Sequence, residues 1–158
     1  MPADLQLTPP LSLAARGAAD ATALIRVVLA DDHEVMRARL RALLAEDDRF
    51  ELIADTADLS EAIRHVSRAR PHVLVLDMSM PSGSSIEAIR SLRAEVPGTQ
   101  IVVLKMEASA AFARHSFDAG AIGYVLKDTA DAELAEAVAC AAIGERYVSP
   151  RVLEALAG

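Results

Sequence analysis

The sequence has no tryptophan, and aromatic residues make up only 3% of its 158 residues. Its core must therefore be built from aliphatic side chains, which are abundant because 53% of the residues are hydrophobic. A single cysteine, Cys140, excludes a framework of internal disulfides and suits a reducing compartment. Because Cys140 lies in a helical pattern without a partner cysteine, we interpret it as a small packed hydrophobic residue.

Long apolar runs and an excess of positive charge are also missing. No run approaches the roughly 20 residues that a membrane span needs, and the N-terminus lacks the basic start of a signal peptide. The chain has 16 Lys and Arg residues against 23 Asp and Glu, a net charge of −7. Contacts with nucleic-acid phosphates need clustered Lys and Arg, so this balance argues against direct nucleic-acid binding. The composition predicts a cytoplasmic domain that binds a metal ion or a protein partner, and neither membrane nor nucleic acid.

Two hydrophobic patterns alternate along most of the chain. Residues 1–24 are rich in Ala and Pro and are expected to form a flexible tail. From Ile25 onward, five apolar runs with strand character alternate with five segments of helical periodicity. We predict one ordered domain over residues 25–148, and the start of a linker or a short C-terminal helix over residues 149–158.

The alternation itself predicts the fold class. Strictly alternating strands and helices form parallel sheets with right-handed crossovers. A barrel needs eight such units, so five predict an open α/β sheet instead. We expect five parallel strands in a doubly wound (βα)5 arrangement, with the flavodoxin-like strand order 2-1-3-4-5.

Three aspartates end two of the predicted strands. Asp31 and Asp32 follow the first strand, and Asp77 ends the third, an unbroken apolar run. The predicted order makes these strands neighbours at the switch point of the sheet, where such folds bind their ligands. Three carboxylates at one place repel one another, so a fixed cation or a metal such as Mg²⁺ must offset their charge. Lys127, at the end of the fifth strand, can reach back toward Asp77, which makes Asp77 a candidate nucleophile for phosphoryl transfer.

Considered singly, each aspartate has a simpler interpretation. Asp31 and Asp32 are typical of a turn at a helix start, with Asp32 as a candidate N-cap of the first helix. Asp77 alone is consistent with a polar strand end. The combination of three aspartates and a lysine at coordinated strand ends favours the phosphoryl-acceptor site.

These residues belong to three longer motifs, which read VLADDH at 28–33, VLDMSMP at 75–81 and AGAIGYVLKD at 119–128, and a fourth motif, GERYVSP, follows at 144–150. Through them, about four fifths of the chain resembles the receiver domain of two-component response regulators, most closely the NarL/LuxR class. The resemblance implies that Asp77 accepts a phosphoryl group from a sensor histidine kinase. It implies that Asp32 and Asp77 bind Mg²⁺ directly, with Asp31 acting through water and Ser79 offering its backbone carbonyl.

The resemblance also implies how the signal leaves the site. Lys127 would pair with the phosphoryl group or with Asp77, and Tyr124 would be an aromatic switch that changes rotamer on activation. The surface of the fourth helix, fifth strand and fifth helix would pass the signal on, with homodimerisation through these helix faces.

The fourth predicted strand departs from the family pattern. In the family, this strand normally ends in Thr or Ser, whose hydroxyl donates a hydrogen bond to the phosphoryl group and couples it to the aromatic switch, here Tyr124. This chain has Lys105 at that position. Lys105 can pair with Asp77, clamp a bound phosphoryl group, turn outward and uncouple the switch, or be a solvated lysine at a strand end. Ser85 also replaces the usual glycine of the loop after the third strand, at little expected cost because Gly83 remains.

Three functions are compared on these grounds. The first is a receiver phosphorylated on Asp77 that controls transcription through a DNA-binding domain absent from this chain, and that catalyses at most its own phosphotransfer and dephosphorylation. The second is a phosphorylation-independent receiver with weak Mg²⁺ binding, which acts as a protein-interaction module because Lys105 replaces the switch residue. The third, a phosphatase of the haloacid-dehalogenase type, needs a second Asp two residues after Asp77, where this chain has Ser79.

Overall fold

The computed structural model describes residues 23–80 and 84–158. The strands are β1 (Ile25–Ala30), β2 (Phe50–Thr56), β3 (Val73–Asp77), β4 (Gln100–Lys105), β5 (Gly123–Leu126) and β6 (Tyr147–Val148). The helices are α1 (Glu34–Glu46), α2 (Leu59–Ala69), α3 (Ser85–Glu95), α4 (Ala110–Ala119), α5 (Ala130–Ala142) and α6 (Pro150–Ala157), with a 3-10 turn at Lys127–Thr129. The tail predicted over residues 1–24 lies outside the described residues, apart from Ala23 and Leu24.

All strands are parallel and form one sheet in the order β2-β1-β3-β4-β5-β6. The α/β class and the order of the first five strands agree with the prediction, but the five-stranded sheet is corrected to six strands. The added strand, β6, consists of Tyr147 and Val148, which pair with Gly123 and Tyr124 of β5. Two residues are too few to show strand periodicity, which is why the sequence did not predict this strand.

Buried aliphatic side chains cover both faces of the sheet. Strand β3 is buried along its whole length, as expected for a central parallel strand. Because successive side chains point to opposite faces, Leu74 and Leu76 join the core beneath α2, α3 and α4. Val73 and Val75 join the core beneath α1 and α5. The carboxyl end of β3 is therefore held rigidly between two packed layers.

Side chains satisfy free backbone N–H groups at several helix starts. The start of α1 corrects the prediction for Asp32, because the N-cap is His33, and the His33 side chain makes no capping hydrogen bond. The His33 N–H instead donates to Asp31 Oδ1 at 2.9 Å, a local turn bond of the kind aspartate often makes. The capping bonds at the next three helices run from Glu61 N–H to Asp58, from Glu87 N–H to Ser84 and from Phe112 N–H to Ser109.

The C-terminal helix α6 is tied to the sheet at its first residues. Its N-cap residue, Ser149, accepts a hydrogen bond from the Leu126 N–H at 3.0 Å and donates one to Glu133 Oε1 at 2.5 Å. Val152 is fully buried in the core that α4 also lines. Among the helices of the described ranges, none is both long enough and apolar enough to cross a membrane.

Candidate functional site

Two neighbouring strands bring the three aspartates together. Strands β1 and β3 pair in parallel, with Ala30 opposite Leu76, so the residues that follow them emerge at the same edge. Carboxylate oxygens of Asp31, Asp32 and Asp77 all lie within 4.8 Å of one another. Asp31 and Asp77 are fully buried, whereas Asp32 is exposed. The site therefore has a buried acidic floor and one carboxylate at its opening.

Lys127 supplies positive charge to this floor. It follows β5 directly and is 97% buried, with 3% of its surface exposed. Its Nζ atom lies 2.9 Å from Asp77 Oδ2 and 3.3 Å from Asp31 Oδ1. One ammonium therefore serves two buried carboxylates, which is the arrangement that the sequence predicted for Lys127 and Asp77.

Asp77 is held ionised by its neighbours. Burial alone would raise the Asp77 pKa, but the Ser79 N–H, the Lys127 ammonium and the Ser79 hydroxyl stabilise the carboxylate and lower that pKa to about 2. The Ser79 N–H and Oγ both donate to Asp77 Oδ1, at 2.9 Å and 2.7 Å. Ser85 donates from its Oγ to the Asp77 backbone oxygen at 3.4 Å. Asp77 is thus a fixed carboxylate at neutral pH.

Asp31 has the opposite electrostatic balance. Burial raises the Asp31 pKa, and the negative charge of Asp77 raises it further, against the opposing effects of the His33 N–H and Lys127. Asp31 Oδ2 is buried and accepts no hydrogen bond from the residues that the structure describes. The pocket therefore holds more negative charge than Lys127 balances. A hard divalent cation with oxygen ligands fits both the unused oxygen and the surplus charge.

A cavity of about 240 Å³ opens beside Asp32 and Lys127. That volume holds several water molecules, since one occupies about 30 Å³ in the liquid. A small ligand can therefore enter from solvent. The residues that line the cavity are Asp32, His33, Ser79, Met106 and Lys127.

Lys105 lies outside this network. Its Nζ atom sits 3.8 Å from the centroid of the Phe112 ring and 3.5 Å from Glu107 Oε1. Among the described residues, the ion pair of Asp77 is made by Lys127 and not by Lys105. The Lys105 side chain is only 14% exposed, so it is packed against α4 and is not a solvated lysine.

Tyr124 is buried, and its hydroxyl group is directed at the loop between β4 and α4, which contains Glu107. Its side chain is fully inaccessible, and its hydroxyl donates to the Glu107 backbone oxygen at 2.7 Å. Lys105 contacts the carboxylate of that same Glu107. Sequence reasoning missed Glu107 and Phe112, because neither belongs to a motif and only the fold brings them to the end of β4.

A family model for the response regulator receiver domain matches residues 27–139. The chain is 34% identical over 128 residues to the transcriptional regulatory protein DegU of Brevibacillus brevis, across 81% of this chain and 54% of DegU. It is 36% identical over 133 residues to the DNA-binding transcriptional activator DevR/DosR of Mycobacterium tuberculosis, across 84% of this chain and 61% of that protein. The chain thus spans 54% and 61% of the lengths of these relatives.

Solved structures share the fold. A two-component response regulator of the LuxR family from an Aurantimonas species superposes with a TM-score of 0.80 at 33% identity, covering 85% of this chain and 96% of that one. The isolated receiver domain of RcsB from Salmonella enterica serovar Typhimurium, solved in the presence of the phosphomimetic BeF3⁻, gives a TM-score of 0.77 at 27% identity. That comparison covers 85% of this chain and 99% of the RcsB chain.

Proposed function

The chain belongs to the response regulator receiver domain family and is a receiver domain of the NarL/LuxR type; we propose that Asp77 accepts a phosphoryl group from a sensor histidine kinase. Receiver domains are signalling domains and not enzymes in the usual sense. The observation that carries the proposal is the buried Asp77 carboxylate, paired with Lys127 at 2.9 Å in a pocket with an open cavity. Such a carboxylate is both ionised and positioned to act as a nucleophile.

The proposed transfer uses Asp77, Ser79 and Lys127 directly. An oxygen of Asp77 attacks the phosphorus of a phosphohistidine, and the new O–P bond forms as the P–N bond breaks. The electron pair leaves with the imidazole, which takes up a proton from solvent. The two donors of Ser79 hold Asp77 Oδ1 in place, and Lys127 stabilises the charge that develops beside Oδ2. Attack by water on the phosphorus later breaks the O–P bond to Asp77 and releases inorganic phosphate, which restores the carboxylate, so the domain turns over only its own phosphoryl group.

We infer that this pocket also holds Mg²⁺, with Asp32 and Asp77 as direct ligands, Asp31 acting through water and Ser79 offering its backbone carbonyl. Bound Mg²⁺ supplies positive charge that neutralises the oxygens of the incoming phosphoryl group. The support is the convergence of three carboxylates within 4.8 Å and the unused Asp31 Oδ2. Mg²⁺ typically takes one or two carboxylates and keeps several waters, which suits a pocket with one exposed carboxylate.

Mg²⁺ is expected to stabilise the folded chain, and Asp32→Asn to remove that stabilisation. A ligand at 100 times its Kd that binds only the folded state adds about 2.7 kcal/mol, which raises the melting temperature by several degrees. Differential scanning fluorimetry with MgCl₂ or with chelator measures the shift. Asp48→Asn, at an exposed aspartate in the turn after α1, is the matched control and should keep the full shift. An unchanged melting temperature in the unaltered chain would remove the metal from the proposal.

For the whole protein, we propose that phosphorylation controls transcription through a DNA-binding domain that lies outside this chain. The support is the coverage of the relatives, since a transcriptional activator such as DevR/DosR is matched over only 61% of its length. Lys105 contacts Phe112 of α4 and is not among the residues that line the cavity at Asp32 and Lys127, which favours this function over the phosphorylation-independent module.

Phosphorylation is expected to promote homodimerisation through helix faces, with α4, β5 and α5 as the proposed signalling surface. In analytical ultracentrifugation, the chain with Mg²⁺ and beryllofluoride should sediment as a larger species than the free chain. Asp77→Asn cannot bind the analogue covalently and should show no change. A monomer that persists after the analogue has bound would exclude dimerisation of this domain as the output.

A further inference from the structure

The chain contains only two lysines, Lys105 and Lys127, and its other long cationic side chains are all arginine. Both lysines stand at the ends of neighbouring strands, and Lys105 lies opposite Leu126, the residue that precedes Lys127. Lys127 already has a place in the phosphoryl-transfer site. Lys105 has none, although its strand, β4, is the direct neighbour of β3, which ends in Asp77, and β5 lies one strand further away.

The position of Lys105 in the sheet brings it within reach of the pocket. Asp77 pairs with Leu104, and the Met78 N–H donates to the Leu104 backbone oxygen at 3.0 Å. Given the spacing between strands and the rise per residue, the Cα atom of Lys105 stands about 6 Å from that of Asp77. Met106, the residue after Lys105 in the chain, lines the cavity beside Asp32 and Lys127. The flexible four-carbon stem of a lysine spans such a gap by rotation about its side-chain bonds.

Two contacts hold Lys105, one to Phe112 of α4 and one to Glu107 in the loop before α4. The ion pair to a glutamate side chain that is 73% exposed contributes little, and the cation over the phenylalanine ring is a moderate interaction. A charge-assisted hydrogen bond to a phosphoryl oxygen is stronger than either. We therefore expect Lys105 to stay at Phe112 and Glu107 only while no phosphoryl oxygen is present in the pocket.

Phosphorylation changes the charge of the pocket. The carboxylate of Asp77 carries one negative charge, whereas a phosphoryl group on it carries close to two near neutral pH. The pocket gains about one negative charge in that step, and Lys127 is already shared between Asp31 and Asp77. Lys105, on the strand next to β3, is a cation whose carboxylate partner, Glu107, is exposed.

We propose that Lys105 is a phosphoryl-binding residue that rests on Phe112 and Glu107 while Asp77 is unmodified and moves to the phosphoryl group once Asp77 carries one. This inference rests on the proposed function, because it needs a phosphoryl group on Asp77. It assigns to the ammonium the contact that a strand-end hydroxyl would otherwise make. It also links the site to α4, because departure of Lys105 frees the Phe112 ring and the loop at Glu107 to which the Tyr124 hydroxyl is bonded.

The rest position and the movement are both visible by NMR. Selective ¹³C labelling of lysine at Cε gives two signals in this chain, and Lys105→Arg assigns them. In the free chain, the Lys105 Cε protons are expected upfield, because they lie against the Phe112 ring. Addition of Mg²⁺ and beryllofluoride should move them downfield. Phe112→Leu should remove the upfield shift in the free chain without altering the analogue-bound position.

The affinity for beryllofluoride provides the second test, because one variant is expected to weaken binding and another to tighten it. Lys105→Met should weaken analogue binding about tenfold through loss of one charge-assisted hydrogen bond, and Lys105→Arg should restore most of it. Phe112→Leu should tighten binding about 2–5-fold, because the resting contact no longer competes. In the double variant with both Lys105→Met and Phe112→Leu, the tighter binding caused by Phe112→Leu should vanish, because the lysine that this substitution releases is absent.

The outcomes separate this inference from the proposed function. If the unaltered chain takes up neither beryllofluoride nor a phosphoryl group, the proposed function fails. If the unaltered chain binds the analogue but Lys105→Met binds it equally well, or if the Lys105 signal stays upfield in the bound chain, the proposed function stands and the role of Lys105 is wrong.

Discussion

Asp77→Asn is expected to abolish uptake of a phosphoryl group from acetyl phosphate. An amide is not a nucleophile toward phosphorus under these conditions, while its shape leaves the Ser79 contacts and the pocket intact. Intact-mass measurement after incubation with acetyl phosphate and Mg²⁺ should show one added phosphoryl group on the unaltered chain and none on the variant. The loss is all or none, because Asp77 is the carboxylate that the two Ser79 donors and Lys127 hold together.

Two controls give this result its meaning. Asp48→Asn changes an exposed aspartate in the turn after α1 and should be phosphorylated like the unaltered chain. The variant Asp77→Asn should also stay folded, because Lys127 still pairs with Asp31 at 3.3 Å. A phosphoryl group on folded Asp77→Asn would show that another residue accepts it, and Asp77 would lose its assigned role.

Lys127→Met is expected to have the largest effect on stability, a loss of about 3–5 kcal/mol near neutral pH. Removing one partner of a buried ion pair leaves an uncompensated buried charge, and here two carboxylates depend on the same ammonium. Methionine fills a similar volume, so the loss reports the charge and not a cavity. Urea unfolding followed by circular dichroism measures it.

The pH dependence identifies the cause. The pKa of Asp77 is lowered to about 2 in the folded chain, so its ionisation stabilises the fold above the usual aspartate pKa of about 4, and that stabilisation is lost as the pH falls toward 2. The Ser79 N–H and the Lys127 ammonium both lower this pKa, so without Lys127 its share of the stabilisation is missing at neutral pH. The difference in the free energy of unfolding between Lys127→Met and the unaltered chain should therefore become smaller as the pH falls below about 4.

Lys105→Met is the matched control for this experiment. It replaces the only other lysine of the chain, also at a strand end, but one whose partners are the Phe112 ring and an exposed carboxylate. Its expected cost is within about 1 kcal/mol, with little dependence on pH in the acidic range. An equal loss for both variants would mean that Lys127 contributes packing and not a counter-charge.

The positions of the acidic residues were predictable because they depend on topology alone. The apolar run that ends in Asp77 requires a central strand, and strict alternation of strands and helices places β1 beside β3. Asp31 and Asp77 must then emerge at one edge, and Lys127 follows a strand of the same sheet. Periodicity and connectivity were sufficient for these residues.

Other features depend on contacts that a linear pattern does not encode. Strand β6 has two residues and is defined by its pairing with β5, not by its own sequence. The α1 start depends on which residue becomes the N-cap, and here the Asp31 carboxylate binds the His33 amide and His33 takes that position in place of Asp32. The direction of the Lys105 side chain is set by Phe112, which lies in the next helix. Each outcome is a choice among local alternatives that tertiary packing decides.

Chemical trapping of the acyl phosphate on the unaltered chain tests the central claim most directly. After incubation with acetyl phosphate and Mg²⁺, borohydride reduction converts a phosphorylated aspartate to homoserine, and peptide mass spectrometry locates it. We expect homoserine at position 77 alone. Homoserine at position 31 or 32, or none at all in a folded chain with Mg²⁺ bound, would contradict the assignment of Asp77 as the phosphoryl acceptor.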